Sequence, residues 1–321
     1  MRTQRLGRSP VEVTALGFGA AGIGNLYQSV DDDTARRAID AAWQAGIRYF
    51  DTAPHYGLGL SERRLGAALA DRPRDEFTVS TKVGRLLVPA PGTAHLTDEA
   101  GFDVPADHTR RWDFSADGVR RSLESSLDRL GLDRVDVVLL HDPDEHWRPA
   151  VEEAYPALHE LRDEGVVGAI GVGMNQWRML ERFVTETDVD TVLLAGRYTL
   201  LDQSAAPSLL PRCRERGVSV LAAGVFNSGV LATDDPGRMY DYRPIPEALY
   251  GRATRIAEVC RSHGVTLPQA ALAFPARHPA VASLVVGAQT AAQVTRNVDL
   301  AAARVPDALW PDLAGAGLVQ P

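Results

Sequence analysis

Four residues of this 321-residue chain have the types and the spacing of an acid–base site: Asp51, Tyr56, Lys82 and His141. A free tyrosine has a pKa near ~10, so Tyr56 needs a neighbour that favours the phenolate before it can exchange a proton with a carbonyl oxygen near neutral pH. Lys82 is a candidate for that neighbour, and Asp51 would keep Lys82 charged and oriented. His141 would hydrogen-bond the substrate oxygen and stabilise the charge that develops there.

The same residues also allow a structural interpretation. Tyr56 could anchor a loop, and Asp51 and Lys82 could form an ion pair that serves only stability. Their positions favour a site, because Asp51, Lys82 and His141 each end a predicted strand and Asn175 lies just past the next one. The carboxyl ends of barrel strands meet at one rim, so all four residues would gather there.

The elements that would position these residues alternate in type along the chain. Several predicted strands are continuous apolar runs, which is typical of strands buried on both faces of a parallel sheet. The predicted strands are residues 15–19, 48–51, 78–82, 135–141, 169–172, 191–195, 219–222 and 283–286. The predicted helices are residues 33–45, 61–70, 116–130, 150–164, 176–187, 208–216, 246–263 and 291–302.

Strands that alternate with helices, without a linker or a change of composition, predict one α/β domain over residues 1–321. The expected fold is a (β/α)8 barrel of the TIM type with a short N-terminal hairpin, rather than two doubly wound halves. Residues 83–113 and 226–246 are longer than plain connections and follow strands. We expect them to form long loops over the C-terminal face and to shape substrate access.

Composition excludes several classes of partner. The chain has 34 basic and 42 acidic residues and a net charge of −8, which repels nucleic acid and anionic lipid. We therefore expect a small-molecule substrate and a monomer or small homo-oligomer. Cys213 and Cys260 have no metal-site spacing, and no segment has the apolar run of a signal peptide or membrane span, so we expect a cytoplasmic protein.

Several motifs together resemble the aldo-keto reductase superfamily over nearly the whole chain. The matching strings are Gly46 to Ala53, Tyr56-Gly57, Ser61-Glu62, Ser80-Thr81-Lys82, Ser122-Leu123 with Leu127 to Leu132, Asp136 to His141, and Ile170-Gly171-Val172. The resemblance implies a nicotinamide-dependent oxidoreductase whose catalytic tetrad is Asp51, Tyr56, Lys82 and His141. It also implies that Asn175 binds the nicotinamide carboxamide.

Within that superfamily, loop sequences are similar to those of the group of D-threo-aldose and L-fucose dehydrogenases. The cues are Trp112 to Ser115, His141 to Asp144, Leu194 to Asp202 and Phe226 to Leu231. The implied reaction oxidises the C1 hydroxyl of an aldose such as L-fucose to the lactone, with Tyr56 as the base. Substrate contacts are expected from Tyr56, Trp112 and His141.

The resemblance also implies the cofactor contacts. They are expected from Gly19, Asn175, Ala223, Phe226, Asn227, Gly229, Leu231, Gly287, Gln289, Gln293, Arg296 and Asn297. Gln289 stands where NADP-selective members often carry Lys or Arg, which favours NAD, although Arg296 could still reach a phosphate. Met174, Ala195 and Ala223 depart from the residues that many members have, so the nicotinamide contacts are partly different.

Alternatives remain open. Gly17 to Gly22 fits the GxGxxG pattern, but no helix opens at once and no acidic residue ends a second strand at the right distance, so a Rossmann domain is not favoured. The His141 to His146 segment is interpreted as an acidic loop, and no metal is expected. Rival functions are a pyridoxal 4-dehydrogenase, a general aldehyde or ketone reductase, and a regulatory protein that senses the cofactor.

Overall fold

The computed structural model describes residues 1–241 and 243–320. Its strands are β1 (Thr3–Arg5), β2 (Glu12–Thr14), β3 (Leu16–Gly19), β4 (Tyr49–Asp51), β5 (Thr78–Val83), β6 (Arg85–Pro89), β7 (His108–Trp112), β8 (Val137–His141), β9 (Ala169–Met174), β10 (Thr191–Ala195), β11 (Ser219–Ala223), β12 (Met239–Tyr240), β13 (Arg243–Pro244) and β14 (Val281–Gly287). Its helices are α1 (Asp32–Gln44), α2 (Leu60–Leu69), α3 (Ala116–Leu130), α4 (Trp147–Pro149), α5 (Tyr155–Asp163), α6 (Trp177–Glu186), α7 (Leu209–Arg216), α8 (Glu247–Ser262), α9 (Leu267–Ala273), α10 (Ala291–Ala302) and α11 (Leu309–Gly315).

Eight parallel strands close into a barrel, which confirms the predicted fold class. The ring runs β3, β4, β5, β8, β9, β10, β11 and β14, and β14 pairs with β3. Successive strands of the barrel are therefore neighbours in the sheet, and at least one helix lies between each of them and the next along the chain. Because all the strands are parallel, their carboxyl ends share one rim.

The interior of the barrel is filled by side chains and is closed at the opposite end. Tyr49, Val137 and Leu139 pack there with Leu6 and Val13 from the N-terminal hairpin. The hairpin is fixed at the amino ends of the strands, since Thr78 Oγ1 donates a hydrogen bond of 2.7 Å to the carbonyl of Glu12. The predicted hairpin is thus confirmed, and it leaves only the C-terminal rim open.

Helix α1 forms where capping and periodicity agree. The Asp31 side chain accepts from Thr34 N at 2.7 Å and caps α1, whose buried face is Ala35, Ala38, Ile39 and Ala42. That spacing places apolar groups on one side of a helix, against the barrel. No helix in the described part of the chain is long and apolar enough to cross a membrane.

Two connections are more ordered than the sequence predicts. Within residues 83–113, β6 and β7 form an antiparallel hairpin in which Arg85 pairs with Trp112 and Pro89 with His108. Within residues 226–246, β12 pairs with β13. Helices α9 and α11 were also not predicted. Strands β7, β12 and β13 lack the apolar runs by which the barrel strands are recognised, and the run in β6 is only three residues long, Leu86 to Val88.

Candidate active site

The structure brings Asp51, Tyr56, Lys82 and His141 together at the C-terminal rim of the barrel. Asp51 ends β4, Lys82 lies on β5 and His141 ends β8, while Tyr56 follows β4 in a turn. The Lys82 ammonium donates to Asp51 Oδ2 at 2.8 Å and to the phenolic oxygen of Tyr56 at 3.1 Å. The side chains of Lys82 and Asp51 are only 1% and 4% exposed, so the ion pair is shielded from water.

Every donor of the Lys82 ammonium is used. Besides Asp51 and Tyr56, it donates to the carbonyl of Thr52 at 2.9 Å. An ammonium has three donors, and these three acceptors hold it in one orientation. Because the phenolic oxygen of Tyr56 accepts from Lys82, the phenol's own hydrogen is free to point elsewhere, toward a substrate oxygen.

Ser80 and Tyr49 fix the position of the Asp51 carboxylate, a role that the sequence did not indicate. Ser80 Oγ donates to Asp51 Oδ1 at 2.7 Å. Ser80 Oγ and the Tyr49 hydroxyl lie 2.9 Å apart. Since the serine proton is given to Asp51, Tyr49 must donate to Ser80. The carboxylate therefore has both oxygens engaged and is fixed relative to Lys82.

A tight turn carries Tyr56 over the barrel mouth. Tyr56 N donates to the carbonyl of Ala53 at 3.1 Å. The next residue, Gly57, has φ of 60°, and a β-carbon there would lie 2.2 Å from the carbonyl oxygen of Gly24. Only glycine fits this approach between the two segments, so Gly57 fixes where the phenol lies.

Burial and nearby charges have opposing effects on the pKa values of Tyr56 and Lys82. Burial raises the pKa of Tyr56 to about 12, although the Lys82 charge works against this increase. Burial by itself disfavours the Lys82 charge, but Asp51 and Tyr56 outweigh it and raise the pKa of Lys82 above its usual value. Near neutral pH the site therefore contains a protonated phenol hydrogen-bonded to an ammonium.

His141 lies beside the phenol. The rings of His141 and Tyr56 are 6.0 Å apart between centroids and nearly perpendicular at 87°. Burial, together with the charges of Arg85 and Lys82, holds the pKa of His141 well below its usual value. The imidazole is thus neutral and can donate one hydrogen bond from an uncharged ring.

A cavity of about 520 Å³ opens in front of these groups. Its polar lining includes Tyr56, Lys82 and His141. The remaining lining residues are Ala21, Leu26, Tyr27, His55, Glu99, Ala100, Gly101, Phe102, Asp142, Gly173, Met174, Asn175, Leu193 and Ala195. The volume suits a small molecule, and the reacting groups lie at one wall.

The β6–β7 hairpin and the segment it encloses cover this cavity. Arg110 makes two hydrogen bonds to the Asp98 carboxylate, of 2.6 and 2.8 Å, and a third of 2.8 Å to the carbonyl of His55. Arg85 pairs with Asp142, the residue after His141. The connection predicted over residues 83–113 therefore does lie at the active-site mouth.

A second cavity of about 330 Å³ adjoins the first and is lined by several residues expected to bind the cofactor. These are Asn175, Phe226, Asn227, Gly229 and Gly287. Leu26, Tyr27, Asn175 and Ala195 line both cavities. The Asn175 side chain has no hydrogen bond to another described residue, so its amide is available to a ligand spanning the two cavities. The residues present thus fit a nicotinamide cofactor.

Several residues expected to bind the cofactor make other contacts within the chain. Leu231 is fully buried and lines neither cavity. The Asn227 side chain accepts from Thr199 Oγ1 at 2.6 Å and donates to the Gly196 carbonyl at 3.1 Å. Gly19 pairs with Gly287 at the end of β3, and the Ala223 carbonyl accepts from Gly196 N at 2.9 Å.

Gln289 and its neighbours are engaged within the chain. The Gln289 amide nitrogen shares its two N–H donors among the carbonyls of Gly22, Leu26 and Gln28, at 3.3, 3.0 and 3.1 Å. Its main-chain N–H donates to Gln293 Oε1 at 2.7 Å. The sequence did not predict these hydrogen bonds of Gln289. They join the residues after β14 to the segment that contains Leu26 and Tyr27, which line both cavities.

Arg296 and Asn297, also expected to bind the cofactor, make hydrogen bonds within the chain, and Trp112, expected to contact the substrate, lines a separate cavity. Arg296 donates to the Ala232 carbonyl at 2.9 Å and Asn297 to the Gly287 carbonyl at 3.4 Å. Trp112 lines a third cavity of about 420 Å³, which also contains Asp142 and Asn175. It is therefore next to the first cavity rather than in its lining.

No cluster of three His, Cys, Asp or Glu side chains within residues 1–241 and 243–320 is arranged to hold a metal ion.

Comparison with known proteins agrees with this geometry. Residues 15–316 match the model of the Aldo/keto reductase family. The chain is 51% identical over 312 residues to the D-threo-aldose 1-dehydrogenase of a Pseudomonas species, covering 96% of this chain and 95% of that protein. It is 37% identical over 334 residues to the pyridoxal 4-dehydrogenase of Microbacterium luteolum, covering 98% and 97% of the two chains.

A solved structure has the same fold. The holo form of the aldo-keto reductase AKR11C1 from Bacillus halodurans superimposes with a TM-score of 0.76 at 27% identity, covering 100% of this chain and 97% of that one.

Proposed function

We propose that this chain, which belongs to the aldo/keto reductase family, oxidises the C1 hydroxyl of an aldose such as L-fucose to the lactone. Membership of the family makes it an oxidoreductase and implies a nicotinamide cofactor, NAD or NADP. The choice of an aldose is supported by the 51% identity to the Pseudomonas D-threo-aldose 1-dehydrogenase over 96% of the chain.

The observation that carries the chemistry is the hydrogen bond from Lys82 to the phenolic oxygen of Tyr56, 3.1 Å long. Oxidation of a C1 hydroxyl removes a proton from oxygen and a hydride from carbon. Tyr56 would take the proton as phenolate, which the adjacent ammonium stabilises. A bound nicotinamide would supply the hydride acceptor.

His141 and Asp51 complete the proposed roles. The neutral His141 ring would hydrogen-bond the C1 oxygen and hold it beside the phenol. Asp51 does not face the cavity, and it would act by fixing the Lys82 ammonium. Asn175 would hold the carboxamide of the nicotinamide, and the second cavity would take the adjoining part of the cofactor.

For the cofactor we propose NAD. The Gln289 side chain offers a neutral amide where a 2′-phosphate would need a cation, and that amide already donates to three main-chain carbonyls. Arg296 is the nearby cation, and it is exposed, with one hydrogen bond to the Ala232 carbonyl.

A second candidate substrate is pyridoxal, on the basis of the 37% identity to the Microbacterium luteolum pyridoxal 4-dehydrogenase. The aromatic wall of the cavity, which includes Phe102, His55 and Tyr56, could pack against a pyridine ring. The two candidates differ in the polar groups that they present to the site.

The test is reduction of NAD+ or NADP+ by purified protein, followed by absorbance, with L-fucose, D-arabinose, L-galactose, pyridoxal and simple alcohols. We expect rapid reduction with one sugar configuration and NAD+. Activity with pyridoxal and none with the sugars would replace the first candidate by the second.

A further inference from the structure

Some of the polar groups that line the first cavity have a partner or a role in the proposed chemistry, and others have neither. Tyr56, Lys82 and His141 form the reacting centre. Asp142 is paired with Arg85. His55 also lines the cavity, yet its side chain has no hydrogen bond to any residue that the structure describes, and no role in the chemistry above requires it.

The His55 ring is fixed in place although it is unbonded. It meets the Phe102 ring edge to face at 5.3 Å and 86°, and the His141 ring at 5.5 Å and 80°. Its main-chain carbonyl accepts from Arg110 at 2.8 Å. The two ring contacts and the main-chain hydrogen bond restrain the side chain, so the ring has a defined place in the cavity wall.

One nitrogen of the ring, Nδ1, is buried without a hydrogen-bond partner among the described residues. Leaving a buried polar atom unpaired destabilises the fold, so such an atom needs an explanation. Nothing in the packing of His55 requires an imidazole, because an apolar side chain of similar size would fill the same contacts. Because Nδ1 is shielded from solvent, a ligand in the cavity would bond the other ring nitrogen, Nε2, which also has no hydrogen bond to a described residue.

The charge state of His55 suits a neutral hydroxyl. Burial, and then the charges of Arg85, Arg110 and Lys82, lower the pKa of His55 to about 2. The ring is therefore uncharged under working conditions and keeps one N–H donor and one lone-pair acceptor. A sugar hydroxyl is likewise both donor and acceptor, so the two groups match.

We propose that His55 is a specificity-determining residue that hydrogen-bonds the hydroxyl on C2 of the aldose. The proposal rests on the proposed function. The His55 ring lies 5.5 Å from the His141 ring and 6.1 Å from the Tyr56 ring, the two groups assigned to the oxygen on C1. His55 lies next to these two residues in the cavity wall, so it would face the hydroxyl on C2, the carbon bonded to C1.

The experiment measures kcat/KM for L-fucose and for 2-deoxy-L-fucose with the wild type, His55→Leu and His55→Gln. Leucine keeps the apolar contacts and removes both nitrogens, whereas glutamine retains a polar group. We expect the leucine variant to lose about ten- to a hundredfold more activity with L-fucose than with the 2-deoxy sugar. Glutamine should recover part of that difference.

Equal losses with both sugars in the leucine variant would overturn the role of His55 while leaving the proposed function intact. If the variant does not fold, the wild type still decides, because equal kcat/KM for the two sugars would exclude recognition of the C2 hydroxyl. Failure of the wild type to oxidise any aldose would overturn the proposed function, and this inference with it. Melting temperature and cofactor titration of each variant check folding.

Discussion

The ammonium of Lys82 lies 3.1 Å from the phenolic oxygen of Tyr56, while its other two donors are taken by Asp51 and the Thr52 carbonyl. The contact joins β5 to the turn after β4, and Ser80 and Tyr49, which lie outside the cavity lining, support it through Asp51. It explains how a phenol in a buried setting can exchange a proton, since the nearest charge favours its anionic form.

Tyr56→Phe removes the exchangeable proton and little else. We expect kcat to fall by about 10²–10⁴-fold, because that is the usual contribution of a general acid or base, while the affinity for cofactor changes little. Steady-state kinetics and titration of cofactor fluorescence would measure both. Tyr198→Phe is the matched control, since Tyr198 packs against Phe274 and lines neither of the two active-site cavities. Full kcat in Tyr56→Phe would exclude this phenol as the acid–base group.

Lys82→Met leaves the buried carboxylate of Asp51 without its counter-charge. We expect the free energy of unfolding to fall by about 3–5 kcal/mol, as for other buried pairs that lose one partner. The double variant Asp51→Asn with Lys82→Met should regain much of that stability and none of the turnover. Denaturant unfolding and kinetics on the same samples separate the two effects. A double variant with wild-type activity would reduce the pair to a structural role.

The pH dependence follows from the raised pKa of Tyr56, which is about 12. Oxidation needs the phenolate, whose fraction increases as the pH rises toward that value, so kcat/KM for sugar oxidation should increase over roughly pH 6 to 10. His141, with a lowered pKa, is already neutral in that range and adds no loss. In the reducing direction the phenol is the acid, and the rate should stay level in the same range. An oxidation rate that falls with rising pH would contradict this assignment.

Gln289→Arg should shift preference from NAD toward NADP, because a guanidinium can form charge-assisted bonds to a 2′-phosphate. The change also disturbs the bonds from Gln289 to Gly22, Leu26 and Gln28, so KM for the sugar should rise as the cavity wall loosens. The ratio of kcat/KM for the two cofactors measures the first effect. Gln289→Ala is the control, since it loosens the wall without adding a charge. An unchanged ratio in the arginine variant would mean that the ribose is recognised elsewhere.

The barrel and the acid–base group were predictable from sequence for a shared reason. Strands buried on both faces leave apolar runs such as Val137 to Leu140, and a polar residue that ends such a run lies at the rim. Asp51 and His141 are marked in this way, whereas Lys82 follows Thr78-Val79-Ser80-Thr81 and was identified through the resemblance of Ser80-Thr81-Lys82 to the family. The position of Tyr56 was harder to predict, because it depends on a turn that Gly57 fixes.

The remaining features depend on contacts between distant segments. Nothing near Gln289 in sequence indicates that its amide reaches Gly22 and Leu26, and nothing near Asn227 indicates that Thr199 engages its side chain. His55 was passed over because its type and spacing match no motif. Only the cavity shows that its ring faces the substrate position without a partner.

The most direct test of hydride transfer from C1 uses L-fucose labelled with deuterium at that carbon, NAD(P)+ and the purified protein, with products analysed by NMR. We expect deuterium on the reduced nicotinamide, a lactone without deuterium at C1, and a slower rate with the labelled sugar if hydride transfer limits turnover. Reduced cofactor that carries no deuterium, or a product still labelled at C1, would show that the hydride comes from another position.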